Sequence, residues 1–147
     1  MKPRKISLFL IPILCLVVYF IMTTESNDED RYEETYFKNL NLHLIGIIKD
    51  VKITNTNDCG ILYIKILNSN INHYDHRKKE KYYYCVIKDY KAEILQDDIR
   101  EFRKNDSVII DSHTRTLINY RQGVFNFKDN LNILFNAQSF IEKYHKM

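Results

Sequence analysis

Leu44-Ile45-Gly46-Ile47-Ile48-Lys49-Asp50-Val51-Lys52-Ile53-Thr54 is the stretch on which the fold turns. Ile45, Ile47, Val51 and Ile53 recur at every second position, with Lys49 the exception. That period of two belongs to a half-buried β-strand. Gly46 inside the run marks a bulge or a sharp bend. Asn55-Thr56-Asn57-Asp58-Cys59-Gly60 is turn chemistry. Residues 61–67 then alternate Leu62, Ile64 and Ile66 against Tyr63 and Lys65, so the two runs predict a hairpin.

The rest of the chain extends this β reading. A polar loop spans 68–80, and a third strand spans 81–88. Leu95, Ile99 and Phe102 lie at helical spacing within 92–104, which predicts a short amphipathic helix. Asn105-Asp106 ends it. A fourth strand carries Val108, Ile109 and Ile110, and residues 116–121 form a strand returned through Gln122-Gly123 by 124–127. Residues 131–135 are apolar. A terminal helix over 137–147 turns Phe140, Ile141 and Tyr144 to the core. This order predicts a mainly β fold: a small OB-like, partly closed β-barrel with a short helix before strand four and a C-terminal helix. A β-sandwich is the alternative.

Ahead of this domain, Lys2, Arg4 and Lys5 precede an uncharged apolar run over 6–22, roughly 25 Å as a helix. The expectation is an N-terminal transmembrane helix, an uncleaved signal-anchor. Cationic residues on its N-terminal side keep that end cytoplasmic and place the C-terminal domain outside, in the periplasm if the cell is bacterial. A cleaved signal peptide is the rival, but Phe20-Ile21-Met22 is bulky where cleavage needs small residues. A lipoprotein would use Cys15, which Leu14 precedes and the apolar run outlasts. The expected division is an anchor over 1–24, an acidic spacer and short helix over 25–41, and a barrel-like domain over 42–147.

Charge narrows the partners. The net charge is +3, equal to the three cations ahead of residue 6. Glu25, Asp28, Glu29, Asp30, Glu33 and Glu34 face only Arg31, and residues 35–147 are left mildly basic. That excess is too small for nucleic-acid binding. Outside the anchor lie Cys59 and Cys85, candidates for a disulfide in an oxidising compartment; the alternative is one cysteine in a turn and one buried in a strand.

Phe102-Arg103-Lys104-Asn105-Asp106-Ser107-Val108-Ile109, Ile118-Asn119-Tyr120-Arg121 and Ile45-Gly46-Ile47-Ile48 together resemble a pattern in small uncharacterised exported proteins of Bacteroidota. Asn105 stands where that pattern has Gly. The resemblance spans roughly residues 44–127 and implies a β fold and export; it carries no activity.

Among candidate sites, Arg77, Lys78, Lys79 and Lys81 beside Tyr82 and Tyr84 form the best binding surface, with Tyr63 near them on strand two. Cations beside an aromatic platform suit an anionic or glycan ligand. The plain alternative is a solvated loop next to tyrosines that cover the core edge. His73-Tyr74-Asp75-His76 has metal-like spacing, but the neighbouring cations favour a solvated loop and no metal. Asp106-Ser107 and Ser112-His113 lack a nucleophile elbow and read as turn caps. Asp97 and Asp98 read as solvating charges. No catalytic residue and no cofactor is expected. The function read from the chain is a non-enzymatic, membrane-anchored module that contacts an envelope protein partner; the alternative is an anionic or glycan envelope ligand held by the 77–81 loop and the tyrosines.

Overall fold

The computed structural model describes residues 7–53, 59–75, 83–133 and 138–147, with residues 7–11, 20–29, 138 and 139 described by backbone alone. Two units divide the chain, one ending at Tyr36 and one formed by Phe37–Met147. The first consists of helix α1 (Ser7–Leu40) up to Tyr36. Pro12 lies inside the helix, and Tyr32 stacks on Tyr36 with ring centroids 6.5 Å apart.

Here the anchor expectation is corrected. The anchor, spacer and short helix expected as three segments are one helix, and among the described residues no helix is long and apolar enough to cross a membrane. The charged stretch from Glu25 to Glu34 continues within the same helix. The transmembrane helix over 6–22, the signal-anchor and the single-pass placement built on them are therefore not sustained.

The second unit is built on one antiparallel sheet in the order β3-β4-β5-β2-β1-β6-β7-β8. Its strands are β1 (His43–Ile53), β2 (Gly60–Ser69), β3 (Tyr74–Asp75), β4 (Cys85–Lys88), β5 (Lys91–Gln96), β6 (Ser107–Asp111), β7 (Thr116–Arg121) and β8 (Val124–Asn130). Helix α2 (Gln138–Tyr144) follows. Strands β3 and β8 are the edges, so the sheet is not closed and the barrel expectation is corrected. Closure needs edge strands that pair, and no ladder among the described residues joins these two.

The helix expected over 92–104 is also corrected: residues 91–96 are β5, and only Ile99–Glu101 forms a 3₁₀ turn. The reason is burial on both faces. Ala92, Glu93, Ile94, Leu95 and Gln96 are all buried, so apolar spacing there followed two surfaces at once. The turn before β5 is Asp89-Tyr90, both with positive φ (50° and 60°), a two-residue hairpin connection.

The inward face of β1 differs from the expected one. Leu44, Gly46 and Ile48 are buried while Ile45 and Ile47 are half-buried. Register shifts between Ile45 and Gly46 and between Ile48 and Asp50 are bulges, as Gly46 had signalled. Along the ladder, Leu44, Ile48, Leu62, Ile64, Ile94, Ile87, Val108, Ile110 and Leu117 share one buried face. Phe37 and Tyr83 also belong to the core and meet edge to face at 5.2 Å. The opposite face carries Ile61, Tyr63, Tyr84, Val86 and Leu95, covered by Ile141, Phe140 and Tyr144 of α2.

Candidate functional site

The face that α2 covers extends past the helix into a cavity of about 440 Å³. Register explains its chemistry. Tyr63 pairs with Glu93 and Lys65 pairs with Lys91, so these four side chains alternate on one surface. Asp50 lies opposite Tyr63 on β1. Lys49, the Asp89-Tyr90 turn, Lys146 and Met147 complete the walls.

Glu93 organises the buried end. It is 1% exposed, and its Oε2 accepts a hydrogen bond from the Tyr84 hydroxyl at 2.9 Å. Oε1 accepts the Lys146 backbone N–H at 2.8 Å, and His145 Nδ1 lies 3.4 Å from Oε2. A buried carboxylate survives only when donors reach it, and here the Tyr84 hydroxyl and the Lys146 N–H do so, with His145 alongside. The Tyr63 hydroxyl donates to the Tyr144 carbonyl. Burial first, then the negative charges of Glu93 and Asp50, pushes the Tyr63 phenol up to about 12. It therefore stays protonated and keeps its donor role across physiological pH.

The open end is cationic. Lys49, Lys65 and Lys91 are exposed and form no ion pair among the described residues. Lys146 Nζ stands 4.1 Å from the Tyr63 ring centroid and 3.3 Å from Asp50 Oδ2. Burial raises the Asp50 carboxyl, but hydrogen bonds from Lys146 and the Val51 N–H, with the charges of Lys146 and Lys52, hold it below the ordinary value. Tyr90 is 78% exposed at the rim.

Of the residues expected to bind ligand, Tyr63 lies in this cavity and Tyr84 stands behind it, joined through Glu93. Tyr83 belongs to the other core, against Phe37. Arg77, Lys78, Lys79, Lys81 and Tyr82 lie outside the described residues, as does His76 of the metal-like cluster. Tyr74 and Asp75 form edge strand β3, and no group of His, Cys, Asp or Glu among the described residues could hold a metal ion. The residues that sequence reasoning missed are Lys49, Asp50, Lys65, Tyr90, Lys91, Glu93 and Lys146. Tyr63-x-Lys65 was a readable signal on a recognised strand; Glu93 was hidden by the helix expected over 92–104, and Lys91 lay between that helix and the strand expected over 81–88.

Of the two readings of the cysteines, Cys59 and Cys85 are both buried and are not joined to each other by a disulfide. Gly60 of β2 pairs with Gln96 on one side of β5, and Cys85 pairs with Ile94 on the other. Two strands separated by a third lie roughly 10 Å apart, beyond the ~7 Å reach of a disulfide. Burial pushes the Cys85 thiol up to about 12, which removes it as a nucleophile.

The hydroxyl and acid pairs considered for hydrolysis hold the fold instead. Asp106 accepts from Arg103 N–H at 3.1 Å, Asn119 Nδ2 at 3.3 Å, and Arg121 Nε and Nη2 at 3.2 and 3.0 Å. Ser112 Oγ accepts the Leu42 N–H at 2.8 Å, and His113 Nε2 meets Asn41 Oδ1 at 2.9 Å. Both tie the start of β1 to the turn after β6.

No family model, no curated protein and no solved structure matches this chain.

Proposed function

We propose that the β domain is a non-enzymatic binding module, and that the cavity beside Tyr63 takes a small ligand carrying an acid group on a flat ring. The observation that carries the reading is the meeting of an aromatic face with three unpaired lysines, Lys49, Lys65 and Lys91, around one cavity. Its volume falls in the range of small-molecule sites, ~300–1,000 Å³. Tyrosine faces suit sugar or aromatic rings, and lysines attract a carboxylate or phosphate. The acidic groups nearest the ring already have partners: Glu93 in its three contacts and Asp50 on Lys146.

Calorimetric titration with phenyl phosphate and with glucuronate tests this reading. Binding of either should weaken at least tenfold in the triple variant Lys49→Ser, Lys65→Ser, Lys91→Ser, and should fall with added salt. Equal affinity in wild type and variant would remove the cavity as the site.

Contact with a protein partner is the second reading. It is favoured by edge strand β8, where Val124 and Phe125 are 69% and 59% exposed. Such an edge can accept an added strand. Asn126→Pro should abolish that association and leave phenyl phosphate binding intact.

A further inference from the structure

We propose that Lys146 is a shared cation of the Tyr63 cavity: Asp50 holds its ammonium here, and the acid group of a ring-bearing ligand draws it away when the ring takes its place over Tyr63. This rests on the reading of the cavity as a ligand site.

The two ends of Lys146 are held very differently. Its backbone N–H donates to Glu93 Oε1 at 2.8 Å, and Glu93 is 1% exposed. Two residues earlier, the Tyr144 carbonyl accepts the Tyr63 hydroxyl. The main chain is therefore fixed against the sheet. The side chain is not: Nζ meets Asp50 Oδ2 at 3.3 Å in a pair whose side chains are 56% and 48% exposed. Ion pairs so open to water are weak and exchange readily. The same Nζ lies over the Tyr63 ring, on the surface where a flat ligand would stack. A ring can enter only if the ammonium leaves. Asp50 tolerates the loss, because its Oδ1 also accepts the Val51 N–H at 3.0 Å. The displaced ammonium keeps its anchored backbone, so it stays within reach of an acid on the incoming ring.

The test is a double-mutant cycle with phenyl phosphate and glucuronate as probes. Asp50→Asn keeps the Oδ1 acceptor and frees Lys146, so it should tighten binding about threefold to tenfold. In a Lys146→Gln background the same change should gain less than twofold. Equal gains in both backgrounds would mean simple charge removal and would overturn the shared cation while leaving the cavity as a site. Wild-type protein that binds neither probe would overturn both. A second measurement needs no variant. The Lys146 ε-methylene protons should carry an upfield ring-current shift from Tyr63 that disappears at saturating phenyl phosphate. A shift that persists in the complex overturns the proposal. Both positions are solvent-exposed, and an unchanged urea midpoint verifies that the variants remain folded.

Discussion

At the scale of single residues, the buried polar groups are the most exacting. Asp106 is 3% exposed and accepts four hydrogen bonds. Removing it strands Arg121 and Asn119, so Asp106→Ala should cost about 3 kcal/mol in urea unfolding. Burial alone would raise its carboxyl, but the Arg121, Arg103 and Asn119 hydrogen bonds and the Arg121 charge lower it below 3.8. A depressed folded value means the stabilisation is complete above the unfolded value and is lost as pH falls through the folded one. Unfolding midpoints of wild type should therefore drop below pH 4, and Asp106→Asn should flatten that drop. Asp129 runs the other way. Burial, with the charges of Asp97 and Asp98, raises its carboxyl despite bonds from Asn130 N–H and Gln96. Its favourable contribution is full below 3.8 and is lost as pH rises. Asp129→Asn keeps an acceptor for Gln96 and should raise the melting temperature at pH 7 while leaving it unchanged at pH 3. None of these partnerships was readable from spacing. Asp106 and Arg121 stood in one recognisable pattern, but only the β6–β7 pairing brings them together.

At the scale of elements, legibility followed the number of buried faces. Strand β7 and the Gln122-Gly123 turn were read at their observed positions, because strand and turn signals agree there and Gly123 holds φ 80°. Strand β5 was misread because both its faces are covered and its apolar residues run together. The Asp89-Tyr90 turn was missed because Tyr is not a turn residue, although its φ is 60°. Strand β1 was recognised, but two bulges shifted which residues face inward. Those bulges make a sharp prediction. A Cβ on Gly46 would strike Ile64 Cγ2 and lie 2.8 Å from the Lys65 carbonyl oxygen. Gly46→Ala should thus destabilise by about 2 kcal/mol, the cost of overpacking, measured by chemical denaturation. On the other face, Tyr84→Phe removes the hydroxyl that serves Glu93. A loss of about 1–3 kcal/mol is expected, together with faster exchange of the Lys146 amide, which shares that carboxylate.

At the scale of the whole β unit, the mainly β class was legible and its closure was not. Hairpins are local and leave turn signals, whereas closure depends on whether two distant edges meet, and β3 and β8 do not. The cavity was legible only at Tyr63, since its lysines come from strands joined by long-range register. The cysteines give a further check. Native alkylation should leave Cys85 unmodified, whereas unfolded protein without reductant should label at both Cys59 and Cys85. One architectural feature reaches further. The ladder passes from β2 to β6 through β1 alone. That strand is the seam of the ladder between a four-strand flap and a three-strand flap, which side chains also bridge where Gln96 Nε2 of β5 donates to Asp129 Oδ2 and the Asn130 carbonyl of β8, both at 2.9 Å. Unstitching the β1–β6 side together with the Gln96 bonds to β8 would release residues 107–130 as one piece, with the Tyr63 cavity still assembled on the other flap. Slow-exchanging amides should then sort into two populations divided at that seam.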